Sequence, residues 1–282
     1  MNIHINSKQN TESDIAVIYQ AYGRQGWEGF DKIFFDSYKT HSAGTNHKLF
    51  VAATCYENNQ EGYKRLKEYA VENKADITPL PDDSMEFGAF YRIAKSISSE
   101  YIFCMVASCF ILKNNWLKFF TDTAYKDRSY KLLGASGSCE NIFPNIFTKF
   151  KKLIPLYKKL QMPNDSRHLN PHIRTSCFFI DRLAYINWLE RAGLPKSKRE
   201  SFILESGKKS LTKFIGSKGF NFAVVGADGK CYQTKDWDKS KTFRQPDLSN
   251  LIIADKHYNY YLNADTNTRI YLEKLSWGHS IT

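Results

Sequence analysis

Short apolar runs alternate with amphipathic stretches along most of this chain. The runs 15–19 (IAVIY), 48–55 (KLFVAATC), 101–106 (YIFCMV), 131–135 (KLLGA), 177–180 (CFFI) and 222–225 (FAVV) have the pattern of buried strands. A briefer strand starts at Ile77 and is closed by Pro79 and Pro81. Between the runs, apolar residues recur every three or four positions: Trp27, Phe30, Phe34 and Tyr38, then Tyr63, Leu66, Tyr69 and Ala70, then Phe87, Phe90, Ile93, Ala94 and Ile97. Segments 116–124 and 183–191 continue the theme, and each predicts an amphipathic helix. This rhythm predicts an α/β fold with a mainly parallel sheet sandwiched by helices. Ligands of such sheets bind beyond the carboxyl ends of the strands. That rule puts the loop after 101–106 at the centre of the reading.

The later part of the chain is less regular. Residues 144–160 carry Lys149, Lys151, Lys152, Lys158 and Lys159 around Ile146, Phe147, Phe150, Leu153, Ile154 and Tyr157, a basic amphipathic stretch interrupted by Pro155. It suits a surface helix on the core, a foot on an anionic membrane face, or a nucleic-acid backbone contact. The 202–214 segment reads as helical with Glu205 near its start, and Asp228-Gly229 suits a hairpin turn. Residues 237–261 mix charges and aromatics with weak periodicity. They fit either a mobile flap over an anionic ligand or a packed tail.

Composition narrows the partners. A net charge of +11 predicts attraction to nucleotide phosphates, a phospholipid surface or nucleic acid. The acids Asp82, Asp83 and Glu86 would repel a nucleic-acid backbone, and no recognition-helix, zinc or RNA-binding pattern accompanies the charge, so no nucleic acid is expected. The six cysteines form no CxxC pair and several sit in apolar runs, which predicts reduced, structural thiols. The polar start of the chain has no apolar stretch of signal-peptide length, and no run reaches the length of a membrane span. The expectation is a cytoplasmic protein, with room for peripheral attachment through 144–160. At 282 residues and 42% hydrophobic, the chain can bury one large core.

Several polar groups stand where chemistry could occur. The strand 101–106 ends in Val106-Ala107-Ser108-Cys109, without a carboxylate. Asn170-Pro171-His172-Ile173-Arg174 leads directly into the 177–180 strand, so His172 could act as a base or donor and Arg174 could clamp a phosphate. Glu205 is a carboxylate after three apolar residues, and 237–245 brings Arg244 among aromatics.

Taken together, Glu86-Phe-Gly-Ala-Phe90, Gly134-Ala-Ser-Gly-Ser138, Pro171-His-Ile-Arg-Thr175, Glu205-Ser-Gly-Lys-Lys-Ser-Leu-Thr212 and Thr242-Phe-Arg-Gln245 resemble the GT-A-fold glycosyltransferases related to family 2, of the bacterial surface-polysaccharide type. The resemblance spans roughly 14–253. It implies one continuous GT-A-like (Rossmann-type) domain, with 1–140 as the nucleotide-sugar half and 141–282 as the acceptor half and C-terminal flap. It implies transfer of a sugar from a nucleotide-sugar to a growing glycan or lipid-linked glycan, capsule or lipopolysaccharide for example, with inversion and Glu205 as base. The donor-binding residues it implies are Tyr19, Asp83, Glu86, Gly88, Ala107, Ser108, Arg174 and Arg244, and the acceptor-binding ones are Ser138, His172 and Lys208. Two departures matter. The metal-binding Asp-x-Asp is absent, and Ser206 stands where the family has a second acid. No metal ligand is therefore assigned, and use of Mg²⁺ or Mn²⁺ is left open. Arg174, Lys208, Arg244 and the backbone amides of 136–138 are the expected substitutes at the diphosphate. The competing reading is a non-catalytic nucleotide-sugar or glycan binder, followed by a basic nucleic-acid-binding protein.

Overall fold

A computed structural model describes residues 13–27, 29–140 and 169–281; the basic stretch 144–160 lies outside them. Eight strands form the central sheet: β1 (Ile15–Tyr22), β2 (Lys48–Thr54), β3 (Asp76–Leu80), β4 (Tyr101–Met105), β6 (Tyr130–Gly134), β9 (Cys177–Asp181), β10 (Asn221–Val225) and β11 (Cys231–Tyr232). Their order is β11-β10-β6-β9-β4-β1-β2-β3. β9 runs antiparallel to β4 and β6, and β11 antiparallel to β10; the other neighbours are parallel. Two small ribbons lie apart: β5 (Phe110–Ile111) pairs with β12 (Ile253–Ala254), and β7 (Gly137–Ser138) with β8 (His172–Ile173).

The alternation of side chains along each strand builds two cores. From β1, Val17, Tyr19 and Ala21 point to one face and meet Phe34 and Phe35 of α1 (Phe30–Thr40), with Trp116 and Phe120 of the segment containing α4 (Lys118–Lys126). Ala16 and Ile18 point to the other face, joining Phe87 and Phe90 of α3 (Met85–Ser96) and Tyr185 and Trp188 of α5 (Arg182–Ala192). With both faces covered, β1 is apolar almost throughout, which is why it was legible as a strand. α2 (Gln60–Glu72) completes the first half. α6 (Lys198–Ser206), α7 (Leu211–Ser217), α8 (Lys256–Asn263) and α9 (Thr266–Trp277) complete the second. Among the described residues, no helix is long and apolar enough to cross a membrane.

The α/β class and the mainly parallel sheet agree with the sequence. Two details differ, and one open choice falls to the packed tail. The 202–214 segment is two helices, because the chain turns at Gly207, where a Cβ would meet the Ile203 carbonyl oxygen at 2.6 Å. Glu205 consequently lies in the last turn of α6 instead of at a helix start. Residues 237–245 are packed: Trp237, Thr242, Arg244 and Gln245 are buried, and Trp277 of α9 donates its indole N–H to the Arg244 carbonyl at 3.1 Å.

Gly88 belongs to this framework. A Cβ there would sit 2.2 Å from the Ser84 Cβ, so α3 can start against Ser84 only with glycine one turn later. Gly88→Ala is expected to lower stability by about 1–3 kcal/mol. Chemical denaturation reads this directly, and an unchanged midpoint would remove the steric account.

Candidate active site

The C-terminal ends of β1, β2 and β3 converge on Asp82. Its side chain is only 11% exposed and forms an ion pair with Arg24 at 3.0 Å. Its Oδ2 also accepts from the Cys55 thiol at 3.0 Å and the Tyr22 hydroxyl at 3.4 Å. Oδ1 is buried and has no hydrogen-bond partner among the described residues. Burial, with the Asp82 charge next, pushes the Tyr22 hydroxyl well up, so it stays protonated and donates. Cys55 at the end of β2 and Met85 at the start of α3 both have positive φ, 62° and 53°, so backbone strain sits on either side of Asp82.

Beside this group a cleft of about 230 Å³ opens between the loop after β1 and helices α1 and α2; Arg24, Trp27, Asp31, Lys32 and Tyr56 line it. Asp31 accepts from the Tyr56 hydroxyl at 2.5 Å and the Tyr19 hydroxyl at 2.9 Å. Burial raises the pKa of Asp31 against the pull of those two donors. Across the cleft mouth, the Lys256 ammonium lies 4.6 Å from the centre of the Trp27 ring, so the first residue of α8 reaches the loop after β1.

The next strand end is closed by β9. Val106 N–H donates to the Ser176 carbonyl at 3.0 Å, and the Cys109 thiol donates to the same oxygen at 3.1 Å. Ala107 and Ser108 are buried, and the Ala107 carbonyl accepts from Tyr19 at 3.0 Å. Tyr19 itself is fully buried, its ring stacked on Phe34 at 3.7 Å. Tyr19 therefore shapes the strand end from behind and does not present a face to a ligand.

One residue before Ser176, the Thr175 N–H donates to Glu205 Oε1 at 3.3 Å. Glu205 is half-buried. A carboxylate in the last turn of a helix faces the negative end of the helix dipole, so its place there is not explained by helix stability. His172 is close enough to feel Glu205, but burial dominates and lowers its pKa, with the Glu205 charge pulling the other way. Its Nδ1–H donates to the Asn170 carbonyl at 2.8 Å, which leaves Nε2 of the neutral ring as an acceptor.

Arg174 and Arg244 are placed differently from the expectation. Arg174 forms a buried ion pair with Asp255 at 2.7 Å and donates to Ser136 Oγ at 3.2 Å. Arg244 pairs with Glu140 at 3.1 Å and donates to Ser276 Oγ at 3.0 Å. The two guanidinium carbons lie 3.9 and 4.8 Å from the centre of the Phe243 ring. Burial, then the Arg174 charge, pushes His257 down to about 4, so it adds no further positive charge at neutral pH. Both arginines are thus committed to internal ion pairs. The 136–138 backbone is likewise engaged with β8: Ser136 carbonyl accepts from Arg174 N–H at 3.1 Å, and Ser138 pairs with His172.

The remaining predicted residues are scattered. Asp83 is paired with Arg92 at 2.7 Å and is more than half exposed. Glu86 accepts from Ser201 at 2.7 Å and from Lys198 at 3.4 Å, tying α3 to α6. Lys208 is exposed on the loop after α6. Among the described residues no three His, Cys, Asp or Glu side chains lie together as a metal site. The strand end offers only Ala107, Ser108 and Cys109, a donor set that does not fit a divalent ion of the Mg²⁺ or Mn²⁺ kind. Asp82, Trp27 and Lys256, which the structure gathers at or beside this cleft, were not among the binding residues expected from the sequence. The acid run 82–86 was the one available signal.

No family model matches the sequence, and no curated protein matches it. Solved structures that are similar include a mannosyltransferase from Pyrobaculum calidifontis in complex with GDP-Man and Mn²⁺, at 11% identity and TM-score 0.48, covering 91% of this chain and 66% of that one. CMP:2-keto-3-deoxy-manno-octonic acid synthetase complexed with CTP is similar at 9% identity and TM-score 0.45, covering 76% of this chain and 89% of that one. Mouse xyloside xylosyltransferase 1 is similar at 10% identity and TM-score 0.44, covering 75% and 85%. This chain spans just under two thirds of the mannosyltransferase. The likeness is one of α/β architecture.

Proposed function

We propose that this protein transfers a sugar from a nucleotide-sugar to a hydroxyl of a glycan acceptor, with inversion and with Glu205 as the general base. The observation that carries this reading is the position of Glu205: a half-buried carboxylate, held by the Thr175 amide at 3.3 Å, one residue from the Ser176 carbonyl that receives the end of β4. In the reaction, an acceptor oxygen bonds to the anomeric carbon as the nucleoside diphosphate leaves with the bonding electron pair. The hydroxyl proton passes to Glu205. The nucleotide occupies the first half, 1–140, and the acceptor the second, 141–282. The unpartnered Oδ1 of Asp82 accepts a ligand N–H, and Arg24, Lys32 and Lys256 face the diphosphate. The resemblance of the five segments quoted above supports a cell-surface glycan as the acceptor.

A panel of nucleotide-sugars in a thermal-shift screen identifies the donor, and slow hydrolysis of that donor without acceptor distinguishes an enzyme from a pure binder. A stabilising donor that is never hydrolysed or transferred would count for the binder. Lys256→Ala is expected to weaken the donor by about tenfold, through loss of a charged contact, with an unchanged melting temperature. Unaltered donor affinity in that variant would place the diphosphate elsewhere.

A further inference from the structure

A second concave surface lies between the C-terminal half of α5 and α7. It is a shallow, open depression of about 310 Å³, and Arg191, Lys208, Lys209 and Lys213 line it with Trp188 and Phe214. Among the described residues no carboxylate lines it. Five other surface cations, Lys32, Lys39, Lys48, Arg65 and Lys118, each rest against an acid. Arg191, Lys208 and Lys213 have no acidic partner among the described residues, and Lys209 Nζ reaches only the Ala192 carbonyl, at 3.3 Å. Gathering four like charges without counter-ions destabilises the free protein by mutual repulsion. The arrangement is explained if an anion completes it.

The loop that carries two of these cations is fixed. The buried Trp188 donates its indole N–H to the Lys209 carbonyl at 2.9 Å, and Ser210 N–H donates to the Gly207 carbonyl at 3.2 Å. The same loop starts directly after Glu205 and Ser206, at the end of α6. We propose that this cleft binds a phosphate ester carried by the acceptor, so that the acceptor is anchored by its charge on the helix boundary that also presents the base. The inference rests on the transferase reading. Several converging cations suit a phosphate dianion better than a single carboxylate, because each oxygen can take its own charge-assisted hydrogen bond. A concave site suits a discrete phosphate better than a flat headgroup layer.

The test uses the full chain labelled with ¹⁵N and two indole N–H resonances. Trp188 reports on the basic cleft, and Trp27 reports on the donor cleft. Inorganic pyrophosphate should shift the Trp188 resonance saturably, and the double variant Lys208→Ala/Lys213→Ala should weaken that binding by about tenfold or more. Both lysines are exposed, so the fold should survive, and an unchanged Trp27 response to nucleotide-sugar confirms it. A Trp188 signal that does not move, or a double variant that binds as tightly as wild type, overturns the proposal. A response to phosphatidylglycerol–phosphatidylcholine vesicles but not to pyrophosphate also overturns it, in favour of a headgroup surface. If Trp27 is silent to every nucleotide-sugar, the transferase reading fails on its own while Trp188 still answers for the cleft.

Discussion

Glu205→Gln is expected to lower kcat by roughly 10²–10⁴, the range for removing a general base, while leaving donor affinity and melting temperature unchanged. Glutamine preserves the length of the side chain and keeps an oxygen that can accept from the Thr175 amide, now at 3.3 Å. What it loses is the capacity to take a proton. The position sharpens the prediction: a carboxylate in the last turn of α6 gains nothing from the helix dipole, so its removal should not cost stability. Turnover of Glu205→Gln near the wild-type rate would end the proposed mechanism. A matched fall in donor affinity would recast Glu205 as a binding residue.

Asp255→Ala is expected to destabilise the fold by about 3–5 kcal/mol, because it strands the Arg174 charge in a buried site. Asp255 is 5% exposed and does two things at once: Oδ2 pairs with Arg174 at 2.7 Å, and Oδ1 accepts from His257 N–H at 2.9 Å to cap α8. A loss of that size corresponds to roughly 10 °C in Tm for a domain of this length. A Tm within a couple of degrees of wild type would mean the ion pair does not hold the C-terminal extension. Burial alone would raise the Asp255 pKa, but the Arg174 charge, helped by His257, overrides it and holds the carboxyl at about 2. The folded value lies below the unfolded one, so the contribution is complete above pH 4 and fades as the pH falls towards 2. It amounts to about 2 kcal/mol. Asp255→Asn should therefore flatten the acid limb of the stability curve in that window.

Arg174 and Arg244 show what the sequence could not tell about its cations: both are held in internal ion pairs. Each looked like a free cation near a candidate ligand, because its acid lies 81 or 104 residues away in the chain. Helices α8 and α9 escaped for a related reason. Their inner faces mix polar with apolar groups: on α9 Glu273 and Ser276 are buried beside Leu272 and Trp277, and Glu273 accepts from the hydroxyl of Tyr261, the buried residue of α8, at 2.7 Å. A hydrophobic period is weakened where some inward side chains are polar and held by hydrogen bonds. The caps Asn59, Asp181, Ser197, Ser210, Asp255 and Asp265, by contrast, are local signals of the kind a sequence can carry, and they set where most of the later helices begin.

By itself the sequence determined the α/β class and the main strands of the sheet. These follow from burial on both faces of short apolar runs, and burial is written into each run separately. The tertiary structure decided the direction of β9, since a buried strand has the same pattern whichever way it runs. It also decided that Asp82 rather than Asp83 faces inward, that Glu205 ends a helix, and that the two arginines clamp the tail. Each of these depends on which distant side chain arrives to meet a charge, and pairing of that kind leaves no period in the chain.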